Sequence, residues 1–230
     1  VIRRGNLDWS AAYGSLGSNF GLVGCDSLFQ AGSLAKPVTL LAALRMRRAG
    51  LIDLDRAVDH YLRSWHLPPG HQTPANPVTF RNLLSHTSGI TPGGYRGYAD
   101  GEAIPTDQQV ANGTPPANSP KVEVLRPPGE ELSYSGGGYT VVEIALQNLL
   151  RRPFEQILGE WVLTPVGMRR ADFTQPLPAA SHARAARGHD GEGNAVRGGW
   201  HTHPEQAAAG LWATPSDIVA FLIELWNGYH

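Results

Sequence analysis

Residues 33–50 read SLAKPVTLLAALRMRRAG, and this stretch decides the fold. Its residues 37–44 are apolar nearly all round a helix, a pattern typical of a helix buried in a protein core. Cations favour the negative end of a helix dipole, and the last turn carries three of them, Arg45, Arg47 and Arg48. Gly50 stands where a left-handed helix cap would lie. The stretch therefore predicts a buried helix that Ser33 opens and that reaches Ala49.

The same stretch begins with Ser33-Leu34-Ala35-Lys36, which places a hydroxyl and an amine on one face of a helix. A serine hydroxyl needs a base within hydrogen-bond reach to be a good nucleophile. A lysine amine serves as that base when burial and nearby positive charge lower its pKa. Free amides at the helix start, including that of Ser33, would help to hold a developing oxyanion. The pattern predicts a nucleophilic Ser33 with Lys36 as its base.

A structural interpretation of these residues stays open, because Ser-x-x-Lys is a short pattern and Ser33 would also serve as a helix N-cap. The context favours the catalytic interpretation. A charged amine inside a nearly apolar helix is costly, so Lys36 needs a partner or a chemical role.

A second motif is Tyr134-Ser135-Gly136-Gly137-Gly138-Tyr139, which follows a loop. A tyrosine on a tight glycine-rich turn can place its phenol beside a bound carbonyl group. If the Lys36 cation lies nearby, the phenolate forms more easily and Tyr134 can relay protons. The alternative is a buried tyrosine in a turn that starts a helix, which the motif alone would favour.

Composition excludes several classes of function. The chain has 230 residues, of which 41% are hydrophobic and 17% charged, enough for one large domain or two small ones. Its net charge of -1 leaves no excess of cations for nucleic acid. No apolar run approaches the roughly 20 residues of a membrane-spanning helix. Cys25 is the only cysteine, so an intramolecular disulfide and a multi-cysteine metal site are both excluded.

Local patterns predict the remaining elements. The expected strands and hairpins are a hairpin of 1–4 and 7–13 around Gly5-Asn6, a strand through 22–29, and a hairpin at 183–200. The expected helices are 79–84, 139–150, 154–163, and a last helix with Thr214 as N-cap and Pro215 at its first position. Residues 91–130 are rich in Pro, Gly, Asn and Thr and predict a long loop.

One histidine cluster offers a metal-binding alternative. In His201-Thr202-His203-Pro204-Glu205, two imidazoles lie two residues apart and would share one side of a strand. Pro204 breaks regular structure, and the spacing is weaker than that of established zinc motifs. A metal-binding protein that uses His201 and His203 therefore stays a minor alternative, and we expect neither a metal nor another cofactor.

Four motifs in order resemble one known family: Ser33 to Lys36, Ser85-His86-Thr87-Ser88-Gly89, Pro127-Pro128-Gly129 with Tyr134-Ser135-Gly136, and residues 208–217. The chain resembles the serine hydrolases that comprise class C β-lactamases, D-alanyl-D-alanine carboxypeptidases and family VIII esterases. The resemblance implies Ser33 as nucleophile, Lys36 as proton acceptor and Tyr134 as the group that passes the proton to the leaving group. It implies structural roles for His86 and for a helix start at Gly210-Leu211-Trp212.

The resemblance also implies a two-region fold of the β-lactamase and penicillin-binding-protein type. Residues 1–62 would form the N-terminal part of an α/β region with the nucleophile helix. Residues 63–230 would form a mostly helical region, with the active site in the groove between the two.

Two departures from the family pattern affect this expectation. Gly136 stands where the family usually has an Asn whose amide contacts the acyl side chain of the substrate, so Gly136 is the expected substrate-binding position. The third motif, Lys-Thr-Gly or His-x-Gly, should follow the helix of Asp217, but none follows before His230. His189-Asp190-Gly191 lies before that helix and in an expected turn. We therefore expect the fold to lack its C-terminal strands and closing helix, through cleavage or because a second chain supplies them.

The sequence thus predicts acyl transfer through an acyl-enzyme. The expected substrates are carboxylic esters, β-lactams, or short D-amino-acid peptides and amides, and Gly136 favours an esterase or D-peptidase over an efficient β-lactamase. A catalytically silent, penicillin-binding-like relative remains an alternative. The resemblance is compatible with an exported, periplasmic protein and with a cytoplasmic one.

Overall fold

The computed structural model describes residues 1–3, 5–17 and 20–229. The strands are short: β1 Ile2–Arg3, β2 Asn6–Leu7, β3 Phe29–Gly32, β4 Ile90–Thr91, β5 Glu123–Val124 and β6 Leu211–Ala213. The α-helices are α1 Ala35–Arg48, α2 Phe80–Leu84, α3 Asp107–Asn112, α4 Gly136–Leu150, α5 Phe154–Leu158, α6 Thr164–Val166, α7 Gln206–Ala209 and α8 Pro215–Tyr229. Two 3-10 helices, Val58–His60 and Ala179–Arg184, and a π-helical turn, Gly159–Leu163, complete the described elements.

Helix α1 confirms the central prediction, with two differences. It begins at Ala35 with Leu34 as N-cap, so Ser33 lies in the turn before the helix instead of capping it. Gly50 has a φ of 75° and follows the last turn in the left-handed conformation that was predicted. One face is buried throughout, but Leu44 is 42% exposed, so the helix is not covered on every side.

The segment at residues 210–212 corrects one prediction. Instead of starting a helix, it leads into β6, which pairs antiparallel with β3 so that Phe29 faces Ala213 and Gln30 faces Trp212. Trp212 is fully buried in a small apolar cluster. Helix α8 begins only after Thr214, whose hydroxyl caps it by accepting the Asp217 amide at 3.1 Å, as predicted.

The N-terminal strands are shorter than predicted. Pairing of Ile2 with Leu7 and of Arg3 with Asn6 makes a small hairpin, and Asn6 belongs to β2 and not to the connection. Arg4, the last residue of the predicted first strand, lies outside the described residues. The predicted strand through 22–29 is reduced to β3, which starts at its last residue, and to two isolated bridges upstream, at Leu22 and Leu28.

The predicted long loop at 91–130 contains a helix and half of a strand pair. Thr106 and Gln109 cap α3 reciprocally, a capping-box pattern that the sequence carries. Val124 in β5 pairs with Ile90 in β4. The predicted helix 79–84 is confirmed as α2, with Thr79 as its N-cap.

The core lies around α4, which is buried from Gly136 to Leu146. Helix α4 packs against α2, α3, α5 and α7, and α7 also packs against α1. Strand β3 comes from residues 1–62 and its partner β6 from residues 63–230, so the two predicted regions are joined by a sheet as well as by helix packing. The division at residue 62 stays a prediction. In the described part of the chain, no helix is long and apolar enough to cross a membrane.

Candidate active site

Ser33 and Lys36 lie side by side at the start of α1. The Lys36 Nζ donates to the Ser33 Oγ over 3.2 Å and to the backbone oxygen of Ala208 over 2.8 Å. Lys36 is only 5% exposed, whereas Ser33 is open to solvent. Among the described residues, no ion pair includes Lys36. The amine is therefore directed at the hydroxyl and is not neutralised by a carboxylate.

Tyr134 completes the group. The Lys36 Nζ lies 4.8 Å from the centre of its ring. Partial burial acts to raise the pKa of Tyr134, but its interactions with Lys36 and Ser33 and the charge of Lys36 outweigh it and lower the pKa below its usual value of 10.0. The turn that carries Tyr134 is held by Ser135, which caps α4. The Ser135 Oγ accepts a hydrogen bond from the Gly138 amide at 2.7 Å. The three predicted catalytic side chains thus lie together.

Gly136 lies in the same turn but has little room around it. A Cβ at this position would lie 3.1 Å from the Tyr95 Cε2 and 3.2 Å from the Gly93 oxygen. The Gly136 amide already donates to that Gly93 oxygen over 2.8 Å. The ring of Tyr95 is held by its hydroxyl, 2.8 Å from the Thr140 Oγ1. The turn at residues 93–95 therefore covers the position from which an Asn side chain would extend.

Three further groups surround Lys36 and Tyr134 and were not predicted as site residues. The Ala208 oxygen holds the amine, but a backbone oxygen leaves no signal in sequence. Tyr139 is buried, and the centre of its ring lies 5.7 Å from the Lys36 Nζ. Its hydroxyl donates a hydrogen bond to the Leu84 backbone oxygen over 3.2 Å. The ring of His86 lies 4.4 Å from that of Tyr134.

Two buried carboxyl groups lie behind the site. The Glu143 Oε2 accepts the Ala207 amide at 2.8 Å, and burial raises the pKa of Glu143 well above its usual value. Burial likewise raises the pKa of Glu205 to about 7, and neither of its carboxylate oxygens has a hydrogen-bond partner among the described residues. His203 lies nearby, with its Nδ1 4.0 Å from the Glu205 Oε2, and burial together with the charges of His201 and Lys36 lowers its pKa to about 4.

This histidine pair does not assemble a metal site. Within residues 1–3, 5–17 and 20–229, no group of three His, Cys, Asp or Glu side chains could hold a metal ion. The Nδ1 of His201 instead lies 2.8 Å from the Arg96 oxygen. The metal-binding alternative for His201 and His203 therefore gains no support.

Comparison with known proteins identifies the family. The family model named Beta-lactamase matches residues 1–228, so the chain belongs to the β-lactamase family of serine hydrolases. It is 25% identical over 207 residues to the D-alanyl-D-alanine-carboxypeptidase/endopeptidase AmpH of Escherichia coli, covering 86% of this chain and 48% of that protein. It is 29% identical over 163 residues to the putative penicillin-binding protein PbpX of Bacillus subtilis, covering 67% of this chain and 36% of that protein.

Solved structures confirm the predicted β-lactamase and penicillin-binding-protein fold. A penicillin-binding protein homologue from Pyrococcus abyssi superposes with a TM-score of 0.74 at 21% identity, over 100% of this chain and 52% of that one. The chain thus spans about half the length of these relatives or less. The comparisons give no support to a second chain that supplies a Lys-Thr-Gly or His-x-Gly strand, which stays a prediction.

The packing at Gly136 generates a first prediction. We expect Gly136→Asn, which introduces the usual family side chain, to lower the free energy of unfolding by about 1–3 kcal/mol through overpacking against Tyr95. Urea unfolding monitored by circular dichroism measures this change. Gly159→Asn is the matched control, because nothing lies within 4 Å of a Cβ at Gly159. Equal stability of the Gly136 variant and the wild type would contradict the crowding.

The buried Glu205 generates a second prediction. Its pKa rises from 4.5 to about 7 on folding, so between these values the folded chain binds more protons than the unfolded chain. The contribution of Glu205 to stability is therefore present below pH 4.5 and is lost as the pH rises towards 7, a loss of about 3 kcal/mol. We expect Glu205→Gln to remove this loss.

The measurement is urea unfolding of wild type and variant at pH 4.5 and pH 8. His203 acts in the opposite direction in the wild type, because its lowered pKa makes stability rise with pH between about 4 and 6.5. The comparison of variant with wild type at each pH isolates Glu205 from that contribution. Glu130→Gln, at an exposed position, serves as the control. A stability difference that is the same at both pH values would refute the assignment.

Proposed function

We propose that the protein hydrolyses its substrate through an acyl-enzyme formed at Ser33, with Lys36 as the base and Tyr134 as the proton relay. The observation that carries this proposal is the 3.2 Å contact between the Lys36 amine and the Ser33 hydroxyl, with the centre of the Tyr134 ring 4.8 Å from the same amine. A general base must lie within hydrogen-bond reach of the proton that it accepts, and this contact meets that requirement.

The reaction runs in two stages. The Ser33 oxygen attacks the substrate carbonyl while its proton moves to the Lys36–Tyr134 pair, and the Ser33 amide helps to stabilise the oxyanion. Tyr134 then passes a proton to the leaving group, which departs as the acyl-enzyme forms. Water attacks the acyl-enzyme, the released alcohol of Ser33 regains its proton, and a carboxylic acid is the product. The lowered pKa of Tyr134 supports this role, because a more acidic phenol transfers its proton more readily.

The substrate class is the finer part of the proposal. We assign carboxylic esters or D-amino-acid peptides and amides ahead of β-lactams. Gly136 supports this order, since it offers no side-chain amide to the acyl part of a substrate and its own amide is bonded to Gly93. The relative named D-alanyl-D-alanine-carboxypeptidase/endopeptidase supports a D-peptide substrate.

Covalent labelling tests the nucleophile. We expect a fluorophosphonate or penicillin probe to attach to Ser33, Ser33→Ala to abolish labelling, and Lys36→Met to slow it by about 100-fold or more because the base is lost. Intact-mass and peptide mass spectrometry measure the site and the rate.

Ser181→Ala controls for the loss of an unrelated serine. Labelling that persists in Ser33→Ala would overturn the assignment. Reversible binding of penicillin without covalent attachment would instead show a silent ligand-binding protein.

Turnover rates test the substrate class. We expect kcat/KM for a p-nitrophenyl ester or for a peptide ending in D-alanyl-D-alanine to exceed that for nitrocefin by about tenfold or more, which corresponds to about 1.4 kcal/mol of transition-state binding. Initial rates with the three substrates under one set of conditions measure the ratio, and Ser33→Ala gives the background. Faster turnover of nitrocefin than of both other substrates would reverse the proposed order.

A further inference from the structure

Tyr134 has to be held in place although its loop is exposed. Its side chain is 49% exposed, and the α4 helix starts only after it. Its interactions with Ser33 and Lys36 connect its side chain to the site but do not orient its backbone. The position of the tyrosine therefore depends on whatever contacts residues 133–135 directly.

One residue, His86, contacts that segment at three points. Its backbone oxygen accepts the Ser133 amide at 2.7 Å, and its side-chain Nδ1 accepts the Ser135 amide at 3.1 Å. The imidazole also lies against the Tyr134 ring, with centroids 4.4 Å apart and planes inclined at 31°. His86 thus binds the residue before Tyr134, the residue after it, and the tyrosine itself.

The backbone of His86 is itself unusual. Its φ is 58°, in the left-handed region that residues with a Cβ adopt at a cost. Such conformations persist where surrounding structure enforces them, and they cluster at functional sites. Here the left-handed turn at the end of α2 lets one residue offer both its carbonyl oxygen and its ring nitrogen to the same segment.

We infer that His86 is a positioning residue that clamps Tyr134 against Ser33 and Lys36, and that it does so as a neutral imidazole with an unprotonated Nδ1. The inference rests on the proposed function, in which Tyr134 moves the proton. An amide donor requires an acceptor, so the contact with Ser135 fixes the tautomer that carries its proton on Nε2.

Protonation of His86 would release the clamp. A proton on Nδ1 removes the acceptor of the Ser135 amide and places a second cation beside Lys36. The titratable groups that face the imidazole are Lys36 from α1, Tyr134 from the loop and Tyr139 from α4, whose ring centre is 5.3 Å away. Burial, and then the charge of Lys36, lower the pKa of His86 below 6.5, which keeps the ring neutral at neutral pH.

Two variants separate the parts of the clamp. His86→Asn keeps an acceptor near the Nδ1 position and tolerates a positive φ, but it does not titrate. His86→Phe keeps a ring against Tyr134 but offers no acceptor. We expect acylation of Ser33 at pH 7.5 to stay within about tenfold of wild type for His86→Asn and to fall about 100-fold for His86→Phe. The wild-type rate should fall below the pKa of His86, and His86→Asn should lack that fall.

A measurement without turnover accompanies the kinetics. Tyrosine labelled with ¹³C at Cζ gives one resonance for each of the seven tyrosines, and Tyr134→Phe assigns the relevant one. In the wild type this resonance should shift as His86 titrates, and the shift should be absent in His86→Asn.

The two readouts distinguish failure of the proposed acylation at Ser33 from failure of the His86 clamp. A wild type that is not acylated, but whose Tyr134 resonance follows His86, would overturn the proposed function and leave the clamp supported. Normal acylation by His86→Phe, or a Tyr134 resonance that is the same in wild type and both variants across the pH range, would overturn the clamp.

Discussion

The structure depends on one buried cation. Lys36 lies on the covered face of α1, where an unpaired ammonium group would be costly. No carboxylate among the described residues neutralises it. Its partners are the Ser33 hydroxyl, the Ala208 carbonyl oxygen, and the faces of two aromatic rings, Tyr134 and Tyr139. The partners of this amine are therefore neutral or polarisable groups, and the nearest side chain among them is the Ser33 hydroxyl at 3.2 Å.

These partners come from distant parts of the chain, and the fold brings them together around Lys36. The Ala208 oxygen is set by α7, which packs between α1 and α4 and is anchored where the Glu143 carboxyl accepts the Ala207 amide. Strand β6 follows directly and pairs with β3, which leads into Ser33. The strand before the serine and the carbonyl that holds the lysine are thereby tied to one sheet.

The sequence predicted those parts of the fold and of the site whose signal is local. The Ser33–Lys36 spacing, the Gly50 cap and the Thr214 cap each follow from neighbouring residues, and all three match the structure. The sequence does not predict structure that depends on partners far away in the chain. Leu211-Trp212-Ala213 is a three-residue apolar run, too short for periodicity to separate strand from helix, and only its pairing with β3 decides. The Ala208 oxygen is a backbone atom, which no residue type marks.

The effect of Gly136, which stands where the family usually has Asn, depends on the residues that pack against it. In sequence it looks like the simple loss of an Asn side chain. In the structure, the amides of Gly136 and Gly137 donate to the oxygens of Gly93 and Pro92, so the turn at 92–95 lies directly on the start of α4. A Cβ at Gly137 would lie 2.4 Å from a backbone oxygen, so this close approach requires glycine. The missing amide and the covering turn are thus connected, because the backbone contact that closes this wall of the site crowds the position from which the Asn side chain would extend.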